Sequence, residues 1–62
     1  MKRLKELRRQ QERTQSEIAE LLGVSVVTVS KLETGRQQAN EEQLLKIAKY
    51  FNVSVDFLLE CE

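Results

Sequence analysis

The stretch VVTV, which begins at Val26, places β-branched side chains in a row and raises the question of what they contact. Such side chains favour strands because they are stiff at χ1, but the apolar positions change phase between Val26 and Val27, so no strand face would be apolar. A helix fits better, because Ser25 can cap its start and Gly35 can end it. In that helix the face of Leu32 points inward, and Val26 and Val27 point away from it. Valine neither donates nor accepts a hydrogen bond, so two valines offered to solvent can only pack against an apolar group.

Residue types that support catalysis or metal binding are scarce among the 62 residues. Histidine is absent and Cys61 is the single cysteine, so an internal disulfide is impossible and a Cys/His metal site is not expected. Cys61 is interpreted as a bystander near the end of the sequence, with an intermolecular link as the alternative. No glycine-rich phosphate loop is present. We expect a protein that is not an enzyme, needs no metal or cofactor, and offers no small-molecule pocket.

Charge is distributed unevenly, although the formal net charge is zero. Residues 1–36 hold eight basic and five acidic side chains, whereas residues 37–62 hold two basic and five acidic ones. The balance is therefore +3 in the first part and −3 in the second. A basic half can meet phosphate. The alternative is a solvated charged surface.

The sequence predicts five helices in a single domain, 1–62, and an all-α fold, because no segment keeps up strand alternation. Thr14 and Glu17 form a capping box, Asn40 can cap a later helix, and Ser54 opens the last one. The predicted helices cover about 2–12, 15–22, 26–34 and 41–51. A short fifth helix is predicted to carry Val55, Phe57, Leu58 and Leu59. The expected core positions are Leu4, Leu7, Ile18, Leu21, Leu22, Val29, Leu32, Leu44, Leu45, Ile47, Ala48 and Phe51. No apolar run approaches the roughly 20 residues that span a bilayer, and no signal peptide is apparent, so the expected location is the cytoplasm.

Residues 15–34, QSEIAELLGVSVVTVSKLET, meet the requirements of a tight pair of short helices. Ala19 is small where the two helices approach, and Gly23 tolerates the positive φ of the corner. One apolar patch can be shared by both helices; its members are Ile18, Leu22, Val24, Val29 and Leu32. This combination is a much stronger signal than any single residue in it.

The chain resembles the lambda-repressor-like helix-turn-helix family, of the Cro/Xre type found in phage and bacterial repressors. The resemblance covers nearly all of residues 3–60 and rests on RLKELR, TQSEIAELLGVS, TVSKLETG and LLKIAKYFNVSVDFLLE. It implies a compact five-helix domain, sequence-specific binding of double-stranded DNA, frequent homodimers and control of transcription. The third helix of such a domain enters the major groove with its N-terminal residues at base edges.

The resemblance assigns base reading to the first two turns of the third helix. Val26 and Val27 would pack on the C5-methyl of thymine, the apolar group of the major-groove edge. The alternative is that one of them, more readily Val26, leans into the corner between the second and third helices. Lys31 could reach a guanine, a phosphate or only solvent, and Ser30 could make a short polar contact.

Further residues would hold the DNA backbone by the same resemblance. Gln15 opens the second helix, where a helix N-terminus favours phosphate; the alternative is an exposed glutamine beside the capping box. Ser25 is first of all a cap, and its hydroxyl could also meet phosphate. Thr28 could contact phosphate through its hydroxyl or could instead cover the start of the third helix. Arg36 and Gln38 follow the third helix and would touch phosphate across the groove, or else belong to a solvated loop.

Two structural assignments complete the resemblance. Arg8 and Glu33 would form an ion pair that ties the first helix to the end of the third. A dimer surface is assigned to the last helix and its approach, namely Val53, Val55, Phe57 and Leu58. The alternative is that Phe57 and Leu58 complete the core of the monomer and that the protein dimerises only on DNA.

The sequence departs from the family pattern in the connection before the second helix. Arg13 stands where an apolar residue usually packs onto Ile18, which would loosen the connection or give Arg13 a phosphate contact. The usual glycine is also missing, so that the first helix is expected to run on through Gln11 and Glu12. Ala39 replaces a frequent proline.

The leading interpretation is a dimeric, sequence-specific DNA-binding repressor that reads a near-palindrome with half-sites about 34–36 Å apart. Two alternatives stay open: a helix-turn-helix module that binds proteins, and the DNA-binding part of a longer regulator. An enzyme fits poorly.

Overall fold

Residues 1–60 are described by a computed structural model in which five helices, and no strand, follow one another. The helices are α1 (Lys2–Gln10), α2 (Gln15–Leu22), α3 (Val26–Thr34), α4 (Glu41–Phe51) and α5 (Val55–Leu59). The predicted all-α, five-helix fold is thus confirmed. The interpretation of Cys61 concerns a position outside the described residues.

Side chains cap the N-terminal turns of four helices. The Thr14 hydroxyl accepts from the backbone N–H of Glu17 at 3.1 Å, and the Glu17 carboxylate accepts from the backbone N–H of Thr14 at 2.8 Å. Asn40 forms a second capping box before α4. The hydroxyls of Ser25 and Ser54 cap α3 and α5 by accepting from the backbone N–H groups of Thr28 and Phe57, without the reciprocal bond of a capping box. These caps satisfy amides that a helix start leaves without a partner.

The helix α1 ends at Gln10, so the expectation that it runs on through Glu12 is wrong. Glu12 takes a left-handed φ of 55°. Its N–H donates to the carbonyl of Arg9, and the N–H of Arg13 donates to the carbonyl of Arg8 at 2.8 Å. This hydrogen-bond pattern ends many helices and usually has glycine where Glu12 stands. The chain therefore makes the turn without its glycine, at a backbone cost of about 1–2 kcal/mol.

The core collects apolar side chains from all five helices. α3 packs on α2 and α1, and α5 packs on α4 and α1. The buried apolar residues are Leu4, Leu7, Ile18, Ala19, Leu22, Val29, Leu32, Ile47, Ala48, Phe51 and Leu58. Leu21 and Leu44 pack half-buried against this core.

Leu45 was expected in the core and is 56% exposed instead. Successive residues of a helix are about 100° apart, and Leu44, Ile47 and Ala48 occupy the inward arc of α4. Leu45 therefore falls outside that arc.

No helix within residues 1–60 is long and apolar enough to cross a membrane.

Candidate nucleic-acid interface

The corner between α2 and α3 is made by Gly23. Its φ is +70°, and a Cβ added there would meet no atom within 4 Å, so the backbone conformation alone requires glycine. The N–H of Val24 donates to the carbonyl of Ala19 at 3.0 Å and closes the turn. The buried Ala19 lets the helices approach. The turn directs the start of α3 out of the fold.

The first turn of α3 presents two valines to solvent. Val26 is 43% exposed and Val27 is 62% exposed. The Ser25 hydroxyl accepts from the backbone N–H of Thr28 at 3.2 Å and also lies 3.1 Å from the Thr28 hydroxyl. The hydroxyls on either side of the valines are thus bound to each other, and the valines present methyl groups to solvent.

The remaining predicted DNA contacts differ in exposure. Lys31, Arg36 and Gln38 are exposed, on α3 or the loop that follows it. Ser30 is half-buried, and its carbonyl accepts from the Thr34 hydroxyl at 3.0 Å. Two cations, at Lys31 and Arg36, therefore lie toward the end of α3, beyond the apolar first turn.

Glu33 is the centre of a buried polar network beneath this surface. Its carboxylate, 3% exposed, accepts from Arg8 Nε at 2.6 Å and from Arg8 Nη2 at 3.3 Å. Arg8 Nη1 also donates to the carbonyl of Arg13 at 2.9 Å. The structure thus contains the ion pair that the resemblance implied, and within residues 1–60 no buried side-chain nitrogen or oxygen lacks a partner.

Gln15 joins the same network, which sequence reasoning missed. Its Nε2 donates to Glu33 Oε1 at 3.0 Å. The side-chain amide is therefore turned toward the protein, and one N–H of it is already engaged. The backbone N–H groups of Gln15 and Ser16, which precede the capped N–H of Glu17, have no partner within a helix and are suited to bind phosphate.

Arg13 is held in the connection between α1 and α2. Its Nη1 lies 3.4 Å from Glu17 Oε2, and its guanidinium carbon lies 5.9 Å from the ring centroid of Tyr50. The hydrogen bond from the Thr14 backbone, together with the nearby Arg13 charge, lowers the pKa of the Glu17 carboxyl. A cation–π contact to α4 thus stands where the family pattern has an apolar contact.

The residues assigned to a dimer surface fall into two groups. Leu58 is 2% exposed and belongs to the core, so its assignment to the dimer surface is corrected. Val53, Val55 and Phe57 are half-buried. Leu59, which sequence reasoning did not select, is 55% exposed.

Phe57 is covered on one side by Arg3. The guanidinium carbon of Arg3 lies 4.8 Å from the ring centroid of Phe57. The same guanidinium pairs with Glu60 at 3.1 Å and with Glu6 at 3.2 Å. This cluster fastens the end of α5 to α1. Leu59 lies beside it and borders an open cleft of about 340 Å³ that Leu44 also lines.

The chain was compared with known proteins. A family model described as helix-turn-helix matches residues 4–58. The chain is 42% identical over 60 residues to the HTH-type transcriptional activator BcrR of Enterococcus faecalis, covering 97% of this chain and 29% of that protein. It is 40% identical over 58 residues to the HTH-type transcriptional regulator ImmR of Bacillus subtilis (strain 168), covering 94% of this chain and 46% of that protein.

The chain thus spans less than half the length of either relative. The match includes all of α2 and α3 and the turn at Gly23 between them. The geometry of the pair and the family match agree: the chain belongs to the helix-turn-helix family, of the Cro/C1 type.

Proposed function

We propose that this domain is a sequence-specific, double-stranded DNA-binding transcription regulator that places α3 in the major groove. One observation carries the proposal: Val26 and Val27 are exposed at the start of the second helix of a helix-turn-helix pair. This is the place from which such a helix contacts base edges. Both relatives are described as HTH-type transcriptional proteins, which supports the same role here.

Base reading is divided between the two ends of α3. Val26 and Val27 pack on thymine methyl groups, and Lys31, one turn further on, donates to guanine or to a phosphate. Ser30 contributes a weaker polar contact, since it is half-buried.

Phosphate contacts fix the orientation of α3. On one side of the groove they come from the backbone amides at Gln15 and from the hydroxyls of Ser25 and Thr28. On the other side they come from the exposed Arg36 and Gln38. Such contacts position the domain and carry no sequence information.

The regulator binds as a homodimer through α5 and the residues before it. Val53, Val55 and Phe57 remain in this surface, and Leu59 takes the place that sequence analysis gave to Leu58, because it is the exposed one of the two. A twofold dimer reads two half-sites about 34–36 Å apart on a near-palindromic operator. Bound in the cytoplasm over a promoter, such a dimer represses by excluding other proteins from the same DNA.

Selection of bound duplexes from a random-sequence pool tests the proposal. Recovery of an inverted repeat with thymines at matching half-site positions is expected. Binding should weaken steeply with salt, because phosphate contacts release counterions. The Val27→Ala variant should relax the thymine positions, whereas Leu45→Ala, which removes an exposed apolar side chain of α4, should not. Recovery of no motif would favour the second candidate, a module that binds proteins through the same two valines.

A further inference from the structure

The first turn of α3 can recognise a methyl group whichever base carries it. Val26 and Val27 offer only methyl groups, and both side chains are exposed. A contact of this kind is worth about 0.8 kcal/mol for each buried methyl group. It depends on the position of the methyl group and is indifferent to hydrogen-bonding groups elsewhere on the base.

The polar side chains next to the valines do not distinguish one methyl-bearing base from another. The hydroxyls of Ser25 and Thr28 lie 3.1 Å apart and share one hydrogen bond. The pair therefore keeps a single free hydroxyl proton. A hydroxyl also serves both base donors and base acceptors. Among the side chains of the turn, none only donates and none only accepts.

Thymine and 5-methylcytosine carry the same methyl group at C5 and differ at position 4. Thymine has an acceptor oxygen there, and cytosine has a donor amino group. A side chain that tells them apart must be a dedicated donor or acceptor, and no side chain of the first turn of α3 is one. Lys31, exposed one turn further along α3, carries a dedicated donor. A lysine suits the N7 and O6 acceptors of the guanine that pairs with 5-methylcytosine.

We propose that Val26 and Val27 recognise the C5-methyl group of either pyrimidine, so that 5-methylcytosine·guanine replaces thymine·adenine at the positions they contact. Cytosine methylation at these positions therefore strengthens binding, and loss of the methyl group weakens it. The inference rests on the proposed function, because it assumes that the first turn of α3 faces bases.

The test uses the full chain and the best duplex from the random-pool selection. At each thymine assigned to the valines, the pair is replaced by uracil·adenine, by 5-methylcytosine·guanine or by unmethylated cytosine·guanine. Affinity is measured by fluorescence anisotropy at one salt concentration. Loss of the methyl group, in uracil or in cytosine, should weaken binding about fourfold per position. The 5-methylcytosine duplex should bind within about twofold of the thymine duplex.

Valine variants show whether these side chains carry the effect. In Val26→Ala and Val27→Ala the affinity ratio between methylated and unmethylated cytosine should fall toward one at the position each residue contacts. Both side chains are exposed, so the variants should fold, which thermal unfolding checks. In Leu45→Ala the ratio should stay at about fourfold.

Three results would overturn the inference while leaving DNA binding intact. They are a 5-methylcytosine duplex as weak as the cytosine duplex, a ratio that the valine variants do not change, and selected sites without thymine opposite the valines. Failure to select any sequence would instead remove the proposed function, and the inference with it.

Discussion

The side-chain amide of Gln15 donates to the carboxylate of Glu33 across 3.0 Å, although 18 positions separate the two residues. The same carboxylate accepts from Arg8 at 2.6 Å. One buried acid thus connects α1, α2 and α3. It holds the start of α2 in a fixed position relative to α3. We propose that the start of α2 faces phosphate and that α3 reads bases.

Replacing Glu33 by Ala should be costly, because it leaves the guanidinium of Arg8 and the amide of Gln15 without their shared partner. The free energy of unfolding should fall by about 3 kcal/mol, measured by urea denaturation. The matched control is Glu60→Ala, which breaks the exposed pair with Arg3 and should cost less than about 1 kcal/mol. Equal losses in the two variants would contradict the central place given to Glu33.

Replacing Glu12 by Gly should stabilise the domain. Glu12 has a φ of 55°, and glycine takes this conformation without the steric cost of about 1–2 kcal/mol. Part of the gain is offset by the greater freedom of glycine in the unfolded chain, so we expect about 0.5–1 kcal/mol in urea denaturation. Glu12→Ala, which removes the carboxylate and keeps the strain, should change stability little. A destabilised glycine variant would disprove the left-handed turn.

Leu58 and Leu59 are neighbours in the sequence with opposite surroundings. Leu58→Ala should lower the free energy of unfolding by about 2–5 kcal/mol, because it opens a cavity in the core. Leu59→Ala should change it by less than about 0.5 kcal/mol and should weaken self-association in sedimentation equilibrium. A dimer that Leu59→Ala leaves intact would move the dimer surface away from α5.

Arg36→Gln should weaken DNA binding to a similar extent for every sequence and should reduce the slope of log affinity against log salt by about 1. The reason is that Arg36 is proposed to contact phosphate only. The control is Lys49→Gln, since Lys49 lies on α4 beside Leu21 and Tyr50. A change of sequence preference in Arg36→Gln, or an equal change of slope in Lys49→Gln, would contradict the assignment.

Local sequence patterns were sufficient for the existence of the five helices, although not for the end of α1, and for the exposure of the valines. The caps at Thr14 and Ser25 and the glycine at position 23 each act within a few residues, and each predicts one helix end. Val29 and Leu32 define the inward face of α3, and helix geometry then places Val26 and Val27 on the outward face. These features depend on helix geometry alone, so they can be predicted from the sequence without knowledge of the tertiary fold.

Other features depend on contacts between distant parts of the chain. The bond from Gln15 to Glu33 has no local signal, and the pairing of Arg8 with Glu33 came from the resemblance. A helix of five residues does not define which side faces inward, so the exposed member of the pair Leu58 and Leu59 was not predictable. No glycine marked the left-handed turn at Glu12.

The most direct test of the central claim is proton NMR of the domain bound to its selected duplex. We predict nuclear Overhauser contacts between the methyl protons of Val26 and Val27 and the C5-methyl protons of thymine in the major groove. Unchanged valine methyl resonances at saturation, with shifts confined to another surface such as that around Tyr50, would contradict the account.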